Sequence, residues 1–172
     1  MPKLDVLVLM GSASDWKHLQ GAVEVLRQLG VVFRAHVSSA HRTPERTIEL
    51  VKAADKDGCR VFICAAGMAA HLAGVVASQT VRPVLGVPLP GGVLDGVDAL
   101  LSTVQMPGGI PVATFAVGSA GAKNAAFFAA QIIADQNPEM REALQVARAE
   151  GARAVDAGDQ QIAAALGDPG AT

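Results

Sequence analysis

The chain has 172 residues, of which 51% are hydrophobic and 17% charged, and its formal net charge is −2 at pH 7. This length and apolar content suit one compact domain with a well-filled core, and the charge excludes the basic surface typical of nucleic-acid binding. Aromatic residues make up only 3% of the chain, whereas glycine contributes 18 residues. Because small side chains bury little area each, we expect an oligomer in which subunit contacts complete the core.

Five short apolar runs alternate with longer helix-like segments. Each run is nearly continuous in apolar residues, which is typical of parallel strands covered on both faces. The predicted strands are residues 6–10, 31–36, 60–65, 84–87 and 112–116. The alternation predicts an α/β fold of three layers around a five-stranded parallel sheet.

Helices are predicted between the strands. Residues 15–29 show helical spacing of apolar side chains and end before Gly30, a C-terminal stop signal. Thr43 and Pro44 mark another helix start, with Thr43 as the cap and Pro44 in the first turn. Further helices are predicted at residues 69–78, 94–105 and 121–134.

The end of the chain is predicted to form one more helix, outside the sheet. Residues 137–139 (Asn-Pro-Glu) cap a helical region from Met140 to about Leu166, in which Gly151 and Gly158 are weak points. We therefore divide the chain into a domain of residues 1–136 and a helical extension of residues 137–172. The extension packs either on its own subunit or on a neighbouring one, and residues 167–172 are expected to fray.

The cysteines and the first residues of the chain bear on its location. Cys59 and Cys64 lie in one extended run, too far apart to bridge each other and without the spacing of a zinc pair, so we expect core thiols in a reducing compartment. The first residues lack the apolar core of a signal peptide, and no uncharged apolar stretch is long enough to cross a bilayer. A soluble cytoplasmic protein is expected.

The first loop with polar residues, residues 11–15 (GSASD), follows the first predicted strand. Ligands of parallel sheets bind at the carboxyl ends of the strands, so this loop is a candidate site. Its small residues let backbone N–H groups approach an anion, with the hydroxyls of Ser12 and Ser14 as further donors. The loop resembles a phosphate cradle but lacks the spacing of a dinucleotide or Walker loop. The alternative is that Ser14 or Asp15 only caps the following helix.

A second polar loop, residues 39–44 (SAHRTP), follows the second predicted strand. Arg42 supplies a planar guanidinium that can grip a phosphate, and His41 supplies a ring that exchanges protons near neutral pH. Asp15 suits neutral hydroxyls, such as a ribose diol, better than a phosphate. These residues predict a nucleoside monophosphate with chemistry on its base. His71 either lines this pocket or packs, and no cluster has metal-ligand spacing.

Seven motifs together resemble those of one enzyme family. They are residues 11–16 (GSASDW), 39–44 (SAHRTP), 69–72 (AAHL), 84–88 (VLGVP), 96–102 (GVDALLS), 104–107 (VQMP) and 120–126 (AGAKNAA). In this order they are similar to the N5-carboxyaminoimidazole ribonucleotide mutases of de novo purine synthesis. The resemblance implies a flavodoxin-like fold and an octamer whose sites borrow residues from adjacent subunits. It implies no metal or organic cofactor, and a link to an ATP-dependent synthetase that makes the substrate.

The resemblance also implies roles for individual residues. The reaction moves a carboxylate from N5 of the substrate to C4 of the imidazole, which gives 4-carboxy-5-aminoimidazole ribonucleotide. Ser12, Ser14 and Arg42 would hold the 5′-phosphate. Asp15 would bind the ribose hydroxyls, and His41 would shuttle the proton. The imidazole would be walled by Ala66, Gly67, Ala70 and Leu72, with Ser39, Ala40 and His71 as further pocket residues.

The chain departs from the family's pattern at a few positions. Met68 stands where glycine is usual, residues 90–92 (Pro-Gly-Gly) replace a more polar stretch, and Lys123 occupies a variable position. These differences bear on pocket shape and subunit contacts.

Two alternative functions stay open. A sister class carboxylates 5-aminoimidazole ribonucleotide directly with CO₂ and shares the Ser, Asp and His; residues 71–72 (HL) and 104–107 favour the mutase. The other alternative is a non-catalytic flavodoxin-like module that binds a nucleotide or a flavin. The few aromatic residues argue against a flavin carrier, and residues 64–66 (CAA) lack the Asp of a phosphoacceptor receiver.

Overall fold

The computed structural model describes residues 3–167 as one five-stranded sheet flanked by helices. The strands are β1 (Val6–Met10), β2 (Phe33–Val37), β3 (Val61–Gly67), β4 (Val84–Leu89) and β5 (Ala113–Thr114). The helices are α1 (Trp16–Gln28), α2 (Pro44–Lys56), α3 (Leu72–Ala77), α4 (Val97–Val104), α5 (Ser119–Ala134) and α6 (Pro138–Leu166), and a 3₁₀ turn (Ala13–Asp15) precedes α1. The predicted fraying falls mainly on residues 168–172, which lie outside the described residues.

The sheet is parallel throughout, in the order β2-β1-β3-β4-β5. β1 pairs on one side with β2 and on the other with β3, so the direction of winding reverses between β1 and β3. At such a switch point the loops that follow the two strands diverge and leave a crevice at the carboxyl edge of the sheet. The predicted three-layer, flavodoxin-like α/β fold is confirmed.

Two apolar cores lie on the two faces of the sheet. Successive strand side chains point to opposite faces, so Val6 and Val8 pack with α1 and α5, whereas Leu7 and Leu9 pack with α2 and α3. The buried face of α5 consists mainly of alanines and Gly121. These small residues allow α1 and α5 to approach each other and the sheet closely.

The cysteines are free and buried, and both belong to the core on the α2 and α3 face. We expected them in one extended run; Cys64 lies in β3, but Cys59 precedes this strand. Burial raises the pKa of Cys59 to about 11 and raises the pKa of Cys64 as well. Neither thiol is therefore an activated nucleophile.

The sequence-based boundaries are wrong mainly at the edges of the sheet and before two helices. β2 starts at Phe33 and exposes Arg34, because an edge strand has less cover, and β5 is two residues long. The structure begins α3 and α4 three residues later than predicted. The turns before them contain positive φ angles at Met68 (56°) and Asp95 (46°), which an α-helix cannot contain.

Two predicted helix caps have different outcomes. Thr43 occupies the N-cap position of α2 and Pro44 follows it, but the Thr43 side chain makes no capping hydrogen bond. Its hydroxyl bonds to Ser39 instead. The Asn137 side chain does cap α6, because its Oδ1 accepts a hydrogen bond from the Met140 N–H at 3.1 Å.

α6 is one continuous helix of 29 residues, unbroken at Gly151 and Gly158. At 1.5 Å per residue it is about 43 Å long. Its first half packs on α5 and buries Met140. From residue 151 onward almost every residue is exposed, so the second half extends away from the sheet domain. Among residues 3–167, no helix combines the length and apolar character needed to span a membrane.

Candidate active site

A cleft of about 540 Å³ opens at the carboxyl edge of the sheet, at the switch point between β1 and β3. The loops that follow β1, β2, β3 and β4 all contribute to its walls, which brings together segments distant in sequence. The lining residues are Gly11, Ser12, Ser14, Asp15, Ser39, Ala40, His41, Arg42, Ala66, Gly67, Met68, Ala69, His71, Leu72, Pro90, Gly91 and Gly92.

The loop after β1 presents a hydroxyl donor to the cleft. The Ser14 N–H and the Ser14 hydroxyl both donate to Ser12 Oγ, at 3.4 and 2.9 Å. A hydroxyl oxygen has two lone pairs and one hydrogen, so Ser12 uses its acceptor capacity within the loop. The Ser12 hydrogen is left to donate to a ligand. This arrangement suits an anion with several acceptor oxygens, such as a phosphate.

Asp15 is fixed in the same loop by its own backbone contact. Its Oδ2 accepts a hydrogen bond from the Ser12 N–H at 2.9 Å, and the remaining carboxylate lone pairs can accept from ligand hydroxyls. Partial burial raises the pKa of Asp15. The hydrogen bond from the Ser12 N–H and the nearby His18 oppose this effect, because both favour the charged carboxylate.

Arg42 joins the first two loops across the cleft. Its Nη2 donates to the Gly11 carbonyl at 3.3 Å, and its Nε donates to Ser39 Oγ at 3.4 Å. Ser39 Oγ also accepts the Arg42 backbone N–H at 3.3 Å. These contacts orient the guanidinium beside Ser12 while leaving other N–H groups of its fork for a ligand.

His41 and His71 meet at the mouth of the cleft. His41 Nε2 lies 2.8 Å from His71 Nδ1, and the rings are nearly perpendicular, with an interplanar angle of 81°. One ring donates and the other accepts, so the two bonded nitrogens share one hydrogen. Both side chains are exposed and can transfer a proton to a bound ligand.

The opposite wall is made of small, mostly apolar residues. Ala66, Gly67, Ala69 and Leu72 line the cleft. Ala70, which was also expected at the wall, is 2% exposed and does not line the cleft. It follows the left-handed turn at Met68 by two residues, and its side chain is buried.

Every other predicted site residue lines the cleft. The sequence reasoning missed Gly11 and Ala69 as lining residues, and it named Met68 and residues 90–92 only as departures from a pattern. All of them directly follow a strand, which is the signal that could have identified them. Within the described range 3–167, no three His, Cys, Asp or Glu residues lie close enough together to hold a metal ion.

Comparison with known proteins places this cleft in a family. A family model described as AIR carboxylase matches residues 5–154. The chain belongs to the AIR carboxylase family. The match includes the sheet domain and extends into the first half of α6. It therefore covers all four loops that form the cleft.

Several characterised members of the AIR carboxylase family are similar to this chain over most of their length. The N5-carboxyaminoimidazole ribonucleotide mutase of Saccharolobus solfataricus is 51% identical over 84% of this chain and 89% of its own. The Escherichia coli (strain K12) protein of the same name is 49% identical, over 81% and 82%. The crystal structure of Treponema denticola PurE matches with a TM-score of 0.81 at 27% identity, covering 91% of this chain and 96% of that one. The family resemblance inferred from the motifs is confirmed.

Proposed function

We propose that this protein is an N5-carboxyaminoimidazole ribonucleotide mutase, an isomerase of purine biosynthesis. It converts N5-carboxyaminoimidazole ribonucleotide into 4-carboxy-5-aminoimidazole ribonucleotide. The observation that carries the proposal is the meeting of Ser12, Asp15, Arg42 and His41 in one cleft at the switch point of the sheet. The identity to mutases at about half of the aligned positions supports it.

The nucleotide binds along the loops after β1 and β2. Ser12 donates its free hydroxyl hydrogen to the 5′-phosphate, and the Ser14 hydroxyl turns from Ser12 Oγ to the phosphate when the ligand binds. Arg42 neutralises the phosphate charge and fixes its orientation through the planar guanidinium. Asp15 accepts hydrogen bonds from the ribose hydroxyls. This arrangement directs the imidazole towards His41.

His41 transfers the protons of the reaction. As an imidazolium it donates a proton to N5 while the carbamate C–N bond breaks, which releases CO₂ and 5-aminoimidazole ribonucleotide. The electron-rich C4 then attacks CO₂ and forms the new C–C bond. Neutral His41 removes the C4 proton, which restores the aromatic ring and returns His41 to its starting charge. His71 accepts or donates the hydrogen at His41 Nε2 and so holds the ring between these steps.

The small residues of the opposite wall retain the CO₂. Ala66, Gly67 and Leu72 line the cleft and offer no charged or strongly polar side chain to a neutral gas. Retention matters because a reactant held next to C4 has a far higher effective concentration than dissolved CO₂.

The active unit in our proposal is an octamer. Two exposed apolar features support assembly: the stripe Val97, Leu101 and Val104 on α4, each about half exposed, and the stripe Val155 and Ile162 on α6. Apolar side chains that are exposed side by side on one face of a helix are typical of interaction surfaces. We infer that the second half of α6 packs on a neighbouring subunit.

The cellular setting follows from the same proposal. An enzyme of nucleotide synthesis with two unpaired core thiols suits a reducing cytoplasm. Its substrate is a carbamate, whose formation from an amine and bicarbonate requires activation. We therefore link this protein to an ATP-dependent N5-carboxyaminoimidazole ribonucleotide synthetase.

The direct test is conversion of N5-carboxyaminoimidazole ribonucleotide without ATP, followed by chromatography of the product. We expect the 4-carboxy isomer to form in the presence of EDTA. The second candidate, direct carboxylation of 5-aminoimidazole ribonucleotide, is favoured by the description of the family model. Rapid conversion of that nucleotide with bicarbonate, together with no turnover of the carbamate, would replace the mutase proposal with the carboxylase.

A further inference from the structure

Two buried hydroxyls lie beneath the loop that carries His41. Ser38 directly follows β2 and is 1% exposed, and Thr47 lies in the second turn of α2 and is fully buried. Their hydroxyl oxygens are 2.8 Å apart. Ser38 also donates its backbone N–H to the Met10 carbonyl at 2.8 Å, so this pair is tied to the end of β1. The pair therefore connects the end of β2, which precedes the loop, with α2, which follows it.

The hydrogen-bond directions are determined by the neighbours. The Thr47 hydroxyl donates to the Thr43 carbonyl at 3.2 Å, and because it has a single hydrogen, Ser38 must donate to Thr47. Nearer the cleft, Thr43 Oγ1 accepts the Ser39 N–H and donates to the Ser39 carbonyl, both at 3.1 Å. Two successive hydroxyl contacts thus hold the two ends of residues 39–43 together.

We propose that Ser38 and Thr47 are positioning residues that set the place of His41 and Arg42 in the cleft. The inference rests on the proposed function, because the two hydroxyls would act by setting the distance between His41 and the reacting atoms. An apolar pair such as Ala and Val would fill this buried space without the desolvation of two hydroxyls. Unlike apolar contacts, hydrogen bonds fix direction. These hydrogen bonds fix the point at which the loop leaves β2. Arg42 lies in this loop, and its hydrogen bond to the Gly11 carbonyl therefore links the loop to the one that follows β1.

The test replaces hydroxyls and keeps volume. Thr47→Val removes the Thr47 hydroxyl, and Ser38→Ala removes its partner but leaves the bond from Thr47 to Thr43, so it is the milder change if Thr47→Val fails to fold. Thr47→Ser retains the hydroxyl. Thr103→Val is the matched control, because Thr103 is 2% exposed and its hydroxyl likewise donates to the carbonyl four residues earlier, outside the cleft.

We expect Thr47→Val and Ser38→Ala to lower kcat at least tenfold while KM changes less than about threefold, because displacement of a catalytic group by about 1 Å can cost a hundredfold in rate. KM rises somewhat because Arg42 moves with His41, but the rise stays small because Ser12 and Ser14 still hold the phosphate in these variants. Thr47→Ser should recover most of the activity, and Thr103→Val should keep kcat within about twofold of the wild type.

Hydrogen exchange gives a readout that does not depend on the reaction. In Thr47→Val and Ser38→Ala, the amides of Ser39 and Thr43 should exchange at least tenfold faster than in the wild type and in Thr103→Val. Wild-type kcat in both variants, or losses no larger than in Thr103→Val, would overturn the positioning role. A wild-type protein that does not convert the carbamate would instead contradict the proposed function, and unchanged exchange would then still reject the hydroxyl contact.

Discussion

At the residue scale, His41 carries the central chemical claim. Asn at this position has a similar size and keeps a hydrogen-bonding group near His71, but it cannot transfer a proton near neutral pH. We expect His41→Asn to bind the nucleotide within about threefold of the wild-type affinity and to lower kcat by at least about 10²-fold, the usual contribution of a general acid–base. Calorimetric titration with the product and steady-state kinetics measure the two quantities. Activity above about a tenth of the wild type would remove His41 from this role.

Asp15 is predicted to trade stability for binding. Because burial raises its pKa in the folded protein, the native state holds the proton more tightly than the unfolded state. The resulting stabilisation is fully present below the ordinary aspartate pKa of 3.8 and is lost as the pH rises through the raised pKa of the folded state. At neutral pH the folded protein is therefore less stable with the ionised carboxylate than it would be with the protonated one. The need to bind ligand hydroxyls explains why a carboxylate stands at this position.

Asp15→Asn tests this trade. We expect the variant to lose substrate affinity strongly, yet to unfold at a temperature equal to or above that of the wild type at pH 7. This difference in unfolding temperature should shrink as the pH falls towards 4, because the wild type then gains its proton. Thermal unfolding of both proteins across this range provides the measurement. A difference that grows with acidification would show that the carboxylate stabilises the fold.

Individual site residues were predictable where the side chain itself carries the chemistry. Ser12, Asp15, His41 and Arg42 all lie in loops that follow strands, and this position indicated a site, although Ser12 and Asp15 also form the capping box of the 3₁₀ turn. Ala70 was misplaced because the wall of the cleft depends on which alanine faces it. The backbone turns at Met68, which has a positive φ, and a methionine in the sequence does not predict such an angle.

At the element scale, the same substitution should have opposite effects in two helices. A Cβ on Gly121 in α5 would overlap the Ala116 carbonyl oxygen, so Gly121→Ala must displace backbone. We expect a loss of about 3 kcal/mol, at the upper end of the usual cost of overpacking. Gly151 in α6 has no atom within 4 Å of the added Cβ, so Gly151→Ala should gain about 0.5–1 kcal/mol from helix propensity.

The two variants are compared by thermal unfolding. For a chain of this length 1 kcal/mol corresponds to about 2–4 °C, so we expect Gly121→Ala to unfold about 10 °C below the wild type and Gly151→Ala slightly above it. Equal shifts in the same direction would mean that the contact between α5 and the preceding loop is not a tight one.

The elements themselves were largely predictable because the central strands and helices have strong, simple patterns. β1, β3 and β4 are buried on both faces and read as continuous apolar runs. β2 and β5 lie at the edges, where cover is incomplete and the pattern weakens. The uninterrupted course of α6 through two glycines was not predicted; glycine lowers helix propensity by only about 1 kcal/mol, which neighbouring alanines offset.

At the scale of the whole molecule, the exposed stripe of α6 should determine assembly. Val155 and Ile162 lie seven residues apart on one side of the helix, and Gln160 points to nearly the opposite side. We expect the wild type to sediment at eight times the chain mass of 17.6 kDa. The double variant Val155→Glu, Ile162→Glu should form smaller species, because it places charges in the contact.

Gln160→Glu is the matched control for this experiment, since it adds a charge on the other side of α6. It should sediment as the wild type does. Octamers in the double variant would exclude the second half of α6 from the subunit interface, whatever covers α4. The arrangement of the subunits could not be predicted in detail from one chain. An exposed apolar stripe indicates a contact but not the surface of the neighbouring subunit that it contacts.

The most direct test of the whole account uses N5-carboxyaminoimidazole ribonucleotide labelled with ¹³C in its carboxylate. The purified protein is given this substrate with unlabelled bicarbonate and EDTA, without ATP, and the product is analysed by mass spectrometry. We predict that the 4-carboxy product retains the label, because the CO₂ released beside Ala66 and Gly67 is captured by C4 before it leaves the cleft. Unlabelled product, or no product, would contradict the transfer of the carboxylate within a closed site.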